Sequence, residues 1–287
     1  MSEKSRRKFG YSATASVSLS AVDQRENTDG IKRKKTCKIY QSDDVEELRA
    51  FRYNDYYKGE FEFMLRIADV LIVHNAVMKQ FFIERGVSEE KIVTLEIFDY
   101  LQKGSVINIP KFEKAITVAG NLDTEKCGYV GQLGELSGVS VKLYGMNYDK
   151  KMDQCENVQY FGSFPSDEIP GKLTSGFGLV WDGASIDGCV GQSGQYLRYN
   201  NPHKLSLYLS SGLPVIIWKE AAEADFVEKQ GVGICVDSLK ELSAKFEMLD
   251  ENAYNKYAES VRELSEKLRT GQFGKYAILS AEDILKL

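Results

Sequence analysis

The sequence predicts an α/β protein with two parallel β-sheets covered by helices. Three observations support this class: short runs of β-branched and aliphatic residues recur along the chain, stretches with helical spacing of apolar residues separate them, and glycines or prolines mark the junctions. Strands that alternate with helices of this size pair in parallel through right-handed crossovers. With 287 residues, the chain is long enough for one large domain or two modest ones.

The first part of the chain predicts a tail followed by a short α/β unit. Residues 1–36 are polar and aperiodic, which is typical of a disordered or poorly ordered segment. Residues 37–40 predict a strand, and the elements after it are a helix at 60–68, a strand at 69–73, a helix at 76–85 that Gly86 ends, and a strand at 91–95. We expect this N-terminal domain to occupy 37–108, and we place a linker at 101–110.

The alternation restarts after the linker and predicts the second, larger domain at 109–270. Its predicted strands are 115–119, 139–144, 158–161, 178–181, 214–218 and 233–236. Its predicted helices are 124–135, 165–174, 202–211, 221–229 and 238–249. A polar, glycine-rich loop at 183–194 leads to the helix at 202–211. We expect residues 271–287 to form a last helix that packs back toward the N-terminal domain.

Composition excludes several classes of function. The net charge of −5 gives no overall attraction for nucleic acid or an anionic membrane, and the basic run at 32–35 is interpreted as a solvated tail. The five cysteines are scattered and form no C-x-x-C pair, which favours reduced thiols over a disulfide framework or a zinc site. No apolar run has the roughly 18 residues of a membrane span, and no signal peptide is recognisable. We therefore expect a cytoplasmic protein.

The most informative stretch begins the helix at 202–211. Asn201 is a suitable N-cap, Pro202 fits the first helical position, and Lys204 follows in the first turn. The backbone amides there already present positive charge, so a lysine is unfavourable unless an anion binds. A phosphate would resolve this conflict. The alternative is that Lys204 extends into water and that His203 is a packing residue.

Two other turns are predicted to lie at the same sheet edge, where ligands of open parallel sheets bind. Gly120 and Asn121 follow a strand; the glycine allows close approach of a ligand to the backbone, and the asparagine supplies a side-chain amide. Lys126 lies in the predicted helix after them. The turn at 161–164 offers backbone groups and an aromatic ring to a flat base; its residues are Phe161, Gly162, Ser163 and Phe164. Such turns are common at strand ends, so their shared edge is the stronger argument.

Metal, nucleophile and dinucleotide sites find little support. His74 and His203 are the only histidines, and neither has a second ligand at metal spacing. No Walker loop or nucleophile elbow is present. The glycines at 128, 131 and 134 lie in the predicted helix at 124–135 and not between a strand and a helix, which makes them a poor dinucleotide fingerprint. We therefore expect no cofactor and no metal.

Four polar residues of the N-terminal domain are candidates for the acceptor side of a site. His74 and Asn75 follow the strand at 69–73 and are expected to face a cleft between the two sheets. Asp43 and Asp44 follow the strand at 37–40, where a carboxylate could act as general base toward a hydroxyl. An N-cap with a first-turn acid is the other interpretation of the aspartate pair, and we favour it on the residues alone.

From about 37 to the C-terminus, the sequence resembles a family of two-domain bacterial glycosyltransferases. The similarity is densest from 176 to 236. The motifs that carry it are TVAGN at 117–121, YG at 144–145, FG at 161–162 with P-x-D-E at 165–168, GFGLVW at 176–181, NPHKL at 201–205 and SGLPVI at 211–216. They are most similar to the glucosyltransferase 3 and β-1,6-galactofuranosyltransferase group, which acts in adhesin and cell-surface polysaccharide glycosylation.

The resemblance implies the GT-B architecture, in which two Rossmann-like domains face a cleft and the C-terminal one holds a nucleotide diphosphate sugar without a metal. It implies that Lys204 contacts the donor diphosphate and that the turn at 161–164 lies near the uridine. It also carries donor-binding roles onto Gly120, Asn121 and Lys126, and Asp182 borders the donor sugar by position. The implied partners are a UDP-sugar and a glycan or glycoprotein acceptor, with self-association into a homo-oligomer and a place in the cytoplasm or at the inner membrane surface.

This chain departs from the pattern of its relatives in two places. Many retaining enzymes of this architecture have a glutamate pair at the donor site, where this chain has Tyr199 and Leu207, so that mechanism is not transferred. Family members also have several strands before the segment that matches Cys37, and we expect the N-terminal domain here to be shortened. The expected function is hexosyl or galactofuranosyl transfer. The alternative is a nucleotide-sugar-binding remnant or a non-catalytic partner subunit of a glycosyltransferase.

Overall fold

The structure is a computed structural model that describes residues 15–22, 34–41, 55–103, 109–124 and 127–286. These residues divide into two units. Unit 1 takes those within Met1–His74, Lys79–Thr94 and Ala277–Leu287, and unit 2 takes those within Asn75–Met78 and Leu95–Tyr276. The predicted catalytic residues Asp43 and Asp44 and the predicted donor-binding residue Lys126 lie outside the described residues.

Unit 1 contains a four-stranded sheet in the order β1-β2-β3-β4. Its strands are β1 (Ala15–Val22), β2 (Lys34–Gln41), β3 (Val70–Val73) and β4 (Ile92–Thr94). Strands β2, β3 and β4 pair in parallel, and β1 pairs with β2 in antiparallel register. Every residue of β3 is buried, which explains why its sequence is an unbroken apolar run.

The helices near this sheet are α1 (Asp55–Ile67) and α2 (Ala76–Glu84), and a 3-10 turn at Glu89–Lys91 precedes β4. The Phe61 ring lies 6.5 Å from the Phe81 ring and 5.6 Å from the Phe82 ring, measured between centroids. Phe82 is fully buried, so this aromatic cluster supplies part of the core of unit 1.

Strand β1 lies inside the segment 1–36, for which composition predicts disorder. Its sequence, ASVSLSAV, alternates serine with apolar residues, and this period of two is the pattern of a strand with one polar face. The low apolar content of the whole segment hides that local pattern. The structure corrects the prediction for these eight residues and for residues 34–36, which begin β2, and residues 1–14 and 23–33 lie outside the described part of the chain.

Unit 2 contains a six-stranded sheet in which all neighbouring strands are parallel, in the order β10-β9-β8-β5-β6-β7. The strands are β5 (Lys111–Asn121), β6 (Ser140–Met146), β7 (Val158–Tyr160), β8 (Ser175–Val180), β9 (Val215–Trp218) and β10 (Gly233–Val236). The chain runs outward from β5 to β7, returns to β8 beside β5, and then runs outward to β10. The order is therefore that of the Rossmann fold, and it reverses between β5 and β8.

The α-helices after β8 are α3 (Gly191–Tyr196), α4 (His203–Ser210), α5 (Ala224–Gln230), α6 (Leu242–Met248), α7 (Glu251–Arg269) and α8 (Gln272–Leu285). Asp250 caps α7 by accepting a hydrogen bond from the Ala253 amide at 2.8 Å. Large rings fill the core of unit 2, where the Phe177 and Tyr254 centroids are 5.2 Å apart.

Most predicted elements of unit 2 are confirmed, but two predicted helices are not α-helical. Residues 128–135 form a 3-10 helix, and Gly134 packs tightly there, since an added β-carbon would clash with Cys155 Sγ. In the predicted helix at 165–174 only Ile169–Lys172 forms a 3-10 turn, because Pro170 and Gly171 interrupt it. Helix α3 begins within the predicted loop at 183–194.

Helix α4 lies directly on β8 and is fixed there by one tyrosine. A β-carbon on Gly178 would lie 2.1 Å from Tyr208 Cγ, so only glycine permits this approach. The fully buried Tyr208 hydroxyl accepts a hydrogen bond from the Ala119 amide at 2.8 Å. This bond joins α4 to the end of β5, and it therefore places the first turn of α4 where the strand order reverses.

Candidate donor-binding site

The carboxyl ends of β5 and β8 meet at the reversal of the strand order in unit 2. Open α/β sheets bind ligands at this point because the loops that leave the two central strands diverge there. Strand β5 ends in Gly120 and Asn121, and β8 is followed by Trp181 and Asp182. The structure thus brings several of the predicted donor-site residues to one edge.

The side chain of Lys204 reaches this edge from the first turn of α4. Its Nζ donates a hydrogen bond to the Trp181 carbonyl at 3.3 Å and lies 6.0 Å from the centroid of the Tyr129 ring. A β-carbon on Gly120 would lie 3.6 Å from Lys204 Cε. The lysine is half-buried between the two strand ends. The alternative, in which its side chain extends into water, is not what the structure shows. It places a positive charge where an anionic ligand of the sheet would bind.

Asn201 and His203 have structural partners beside this lysine. Helix α4 begins at His203, its N-cap position is Pro202, and no side chain caps it, so the prediction of Asn201 as N-cap is wrong. The Asn201 side-chain amide instead donates to the Glu96 carbonyl at 3.1 Å. The exposed His203 ring stacks on Phe98, with centroids 4.6 Å apart. These contacts fix the chain that leads into α4.

The turn after β5 uses its own asparagine. Asn121 Oδ1 accepts hydrogen bonds from the Asp123 amide at 3.2 Å and from Asn147 Nδ2 at 2.8 Å. This Asx-type turn orients the loop and links the ends of β5 and β6. Gly120 is exposed at φ +143°, a conformation that a residue with a β-carbon rarely adopts. The backbone at Gly120 is therefore open to a ligand, whereas the Asn121 oxygen is already engaged.

The predicted aromatic turn at 161–164 lies at the end of β7 and forms a stacked cluster. The Phe161 ring stacks on Tyr144 with centroids 5.0 Å apart and planes within 10°. The Phe161 amide donates to the Leu143 carbonyl, and the Gly145 amide donates to the Gly162 carbonyl, each at 2.9 Å. These bonds hold the turn rigid. The side chain of Phe161 remains 37% exposed, and it offers ring surface at the same sheet edge as Lys204.

The carboxylate of Asp182 lies next to this site and is half-buried. Its Oδ1 accepts a hydrogen bond from the Gly183 amide at 2.8 Å and lies 4.0 Å from Cys127 Sγ. A carboxylate held by a backbone amide at the end of β8 can accept hydrogen bonds from sugar hydroxyl groups. Its predicted position beside the donor sugar stays a prediction.

His74 and Asn75, the two candidate residues after β3, are both buried, and the side chain of Asn75 makes three hydrogen bonds. His74 is buried in unit 1. The Asn75 side chain lies in unit 2, where its Oδ1 accepts from the Met78 amide at 2.9 Å and its Nδ2 donates to the Tyr199 carbonyl at 3.0 Å and to Glu223 Oε1 at 2.9 Å. Both hydrogens and the oxygen of this amide are therefore used inside the protein. Asn75 stabilises the segment that leads to α4.

Two buried residues escaped the sequence analysis. Glu223 is only 1% exposed, and burial raises the pKa of its carboxyl group to about 8, although the hydrogen bond from Asn75 acts in the opposite direction. Tyr129 is fully buried beside Lys204. Neither has a sequence signal. Glu223 follows the polar and small residues KEAA at 219–222 and resembles a residue of a helix start, and Tyr129 lies in a segment that predicts a regular helix.

The described residues contain neither a metal-binding cluster nor a membrane-spanning helix. Within the described ranges, no group of three or more His, Cys, Asp and Glu side chains is arranged to hold a metal ion. None of the helices in the described part of the chain is long and apolar enough to cross a membrane.

Two models of a known family match the chain. The model for the N-terminal domain of glucosyltransferase 3-like proteins matches residues 23–97, and the model for their C-terminal domain matches residues 116–281. The β-1,6-galactofuranosyltransferase WbbI of Escherichia coli is 35% identical over 248 residues, which are 85% of this chain and 70% of the relative. Glucosyltransferase 3 of Streptococcus gordonii is 25% identical over 232 residues, which are 80% of this chain and 66% of that enzyme.

Solved structures of glycosyltransferases have a similar fold. The structure of Anabaena HepE in complex with UDP-glucose matches with a TM-score of 0.52 and 14% identity, over 87% of this chain and 72% of that one. WaaG, a glycosyltransferase involved in lipopolysaccharide biosynthesis, matches with a TM-score of 0.53 and 14% identity, over 86% of this chain and 74% of that one. At this identity the likeness concerns the fold alone.

Proposed function

The chain belongs to the glucosyltransferase 3-like family of glycosyltransferases and has the GT-B fold class that the sequence predicts, and from this premise we propose its donor, acceptor and mechanism. It transfers a hexosyl or galactofuranosyl group from a UDP-sugar to a glycan or glycoprotein acceptor. The pathway is cell-surface polysaccharide or adhesin glycosylation, and no metal ion is required. This proposal extends to the chain the activities for which WbbI and glucosyltransferase 3 are named.

The position of Lys204 is the observation that carries the proposal. A nucleotide diphosphate sugar needs a cation for its diphosphate, and Lys204 Nζ lies between the ends of β5 and β8 with only a neutral carbonyl as its hydrogen-bond acceptor in the described structure. The first turn of α4, which carries Lys204, adds partial positive charge, because the backbone amides at the start of a helix carry it. Gly120 leaves room for a phosphate beside the lysine.

The chemistry that these groups support is stabilisation of the leaving group. When the bond between the anomeric carbon and the diphosphate oxygen breaks, negative charge develops on that oxygen, and a fixed cation there lowers the barrier. Lys204 and the α4 amides are in place before the reaction, so little reorganisation is needed. The acceptor hydroxyl loses its proton to a carboxylate, for which Asp43 and Asp44 remain our candidates.

The other donor-site residues take supporting roles in this proposal. The exposed ring of Phe161 packs on the uracil, backbone groups of Gly162, Ser163 and Phe164 contact its edge, and Asp182 accepts hydrogen bonds from the sugar. Gly120 and Lys126 approach the diphosphate, and the Asn121 and His203 contacts described above hold the loops around it. We further propose that the enzyme is a cytoplasmic homo-oligomer.

Titration of UDP into the protein tests the donor site directly. We expect wild-type protein to bind UDP and the Lys204→Ala variant to bind it at least tenfold more weakly, because loss of a charge-assisted hydrogen bond to phosphate costs about 1.5–3 kcal/mol. Lys229→Ala is the matched control, since Lys229 is an exposed lysine of α5 paired with Asp225 on the same helix. An unchanged affinity of Lys204→Ala would remove this lysine from the site.

Transfer assays distinguish an enzyme from a binding protein. Hydrolysis or transfer is measured with UDP-galactofuranose and with UDP-glucose, in the presence and absence of a chelator. Turnover that survives the chelator supports the proposal. Binding of UDP without turnover of either sugar would favour the alternative, a non-catalytic nucleotide-sugar-binding subunit, and absence of UDP binding would contradict both.

A further inference from the structure

Tyr129 is a buried tyrosine whose hydroxyl group is not used by the protein. The residue is 0% exposed and lies at the start of the 3-10 helix Gly128–Glu135. Its backbone amide donates to the Gly183 carbonyl at 3.3 Å, which fixes the residue against the loop after β8. Its Oη, although shielded from solvent, has no hydrogen-bond partner among the described residues.

In the other fully buried tyrosines of unit 2, Tyr208 and Tyr254, the hydroxyl group has a hydrogen-bond partner. Tyr208 Oη accepts a hydrogen bond from the Ala119 amide, and Tyr254 Oη donates one to the Gly176 carbonyl, each at 2.8 Å. A buried hydroxyl without a partner is costly, so proteins rarely retain one unless a water or a ligand satisfies it. Phenylalanine would fill the same space at Tyr129 without that cost.

The neighbours of Tyr129 place it at the proposed donor site. Lys204 Nζ lies 6.0 Å from its ring centroid, and the ionisable groups that act on Tyr129 are Asp182, Cys127 and Cys189. All of these belong to the loops after β5 and β8 or to the first turn of α4. Tyr129 therefore lies at the reversal of the strand order, beside Lys204.

We propose that the Tyr129 hydroxyl is a further ligand of the donor and that it donates a hydrogen bond to a phosphate oxygen of the UDP-sugar beside Lys204. The inference rests on the proposed function of the site. Burial, with smaller contributions from Asp182 and the two cysteines, raises the pKa of Tyr129 well above that of an ordinary tyrosine, so the group keeps its proton and acts as a donor.

The same change made in two buried tyrosines tests this inference. Tyr129→Phe removes the hydroxyl group near Lys204. Tyr254→Phe removes a hydroxyl group that is bonded to the Gly176 carbonyl near the start of β8, the end of the strand away from the proposed ligand. For Tyr129→Phe we expect UDP to bind about five- to tenfold more weakly while uridine binding is unchanged, with a melting temperature at or above that of wild type. For Tyr254→Phe we expect a lower melting temperature and unchanged UDP affinity.

The outcomes separate failure of this inference from failure of the proposed function. If wild-type protein binds UDP and Tyr129→Phe binds it equally well, the hydroxyl is not a ligand and the inference fails alone. A melting temperature of Tyr129→Phe that falls as far as that of Tyr254→Phe would mean that the hydroxyl already has an internal partner, such as a buried water, and would also overturn it. If wild-type protein does not bind UDP, the proposed function fails first.

Discussion

The ammonium group of Lys204 reaches the strand ends because of one spacing in the sequence. Lys204 and Tyr208 are four residues apart, so they lie on the same face of α4. Tyr208 turns that face toward the sheet, because it is fully buried and bonded to the Ala119 amide. The conflict between a lysine and a helix N-terminus predicts an anion site, and the buried tyrosine one turn later explains the direction in which the lysine points.

The residues that sequence analysis missed are those whose role depends on burial. Glu223 and Tyr129 belong to common residue types in unremarkable local patterns, and only the packed structure shows that both are enclosed. Asn201 shows the opposite error, since a good N-cap residue type was assigned that role while its side chain bonds the Glu96 carbonyl instead. Local preference cannot reveal a partner that is distant in the chain.

Glu223 gives the protein a predictable dependence of stability on pH. Its folded-state pKa of about 8 lies above that of a glutamate in the unfolded chain, so the folded state binds the proton more tightly. Its contribution is fully present below the ordinary glutamate pKa and is lost as the pH rises through about 8. We expect the free energy of unfolding from urea titrations to fall by up to about 1.4 kcal/mol per pH unit between pH ~5 and ~8 because of this group.

The Glu223→Gln variant isolates this effect. Glutamine keeps an oxygen that can accept the Asn75 hydrogen bond but has no proton to lose, so its stability should decline less than that of wild type toward pH ~8. The exposed residue Glu247 of α6 provides the control, and Glu247→Gln should follow the wild-type curve. Parallel curves for wild type and Glu223→Gln would show that Glu223 is already ionised in this range.

The attachment of α4 to β8 depends on the absence of a side chain at Gly178. In Gly178→Ala the new methyl group would lie 2.1 Å from Tyr208 Cγ, so the helix must move away from the strand. Overpacking of this kind costs about 1–3 kcal/mol of the free energy of unfolding. Because α4 carries Lys204, we also expect weaker UDP binding, measured by calorimetry on the folded variant.

Gly171 provides the matched control for this substitution. It lies in the 3-10 turn Ile169–Lys172, and a β-carbon there meets nothing within 4 Å. Gly171→Ala should therefore leave both stability and UDP affinity close to wild type. Equal stability of the two alanine variants in a urea titration would contradict the close contact between α4 and β8.

The kind of helix in the short connecting segments is the hardest part of the secondary structure to predict. Apolar spacing at 124–135 and 165–174 fits a helix, and both segments do contain helical turns, but of the 3-10 kind. The first packs against Cys155 through Gly134, and the second is interrupted by Pro170. Strands were predicted more accurately because a buried parallel strand needs an apolar run, and β3 and β9 are buried along their whole length.

The order of the strands could not be read from the sequence, although their parallel pairing could. Alternation of strands and helices predicts parallel pairs, and right-handed crossovers follow from chain chirality. The alternation does not show after which strand the next strands are added on the other side of the sheet. In unit 2 the reversal falls between β5 and β8, whose last residues, Asn121 and Val180, are far apart in the sequence. The resemblance to a known family supplied this information, and the similar solved structures agree with the fold.

Hydrogen exchange with and without UDP tests the proposed donor site across the whole molecule. A ligand that binds only the folded state at about 100 times its Kd stabilises that state by about 2.7 kcal/mol, and amides near the ligand gain protection first. We expect slower exchange in the loops after β5, β7 and β8 and in the first turn of α4, and unchanged exchange in β3 of unit 1. Lys204→Ala should weaken this protection at the same UDP concentration, because UDP is then present at no more than about 10 times its Kd. Protection that instead appears at the opposite ends of the strands, for example near Lys111 and Ser175, would place the ligand away from the reversal of the strand order.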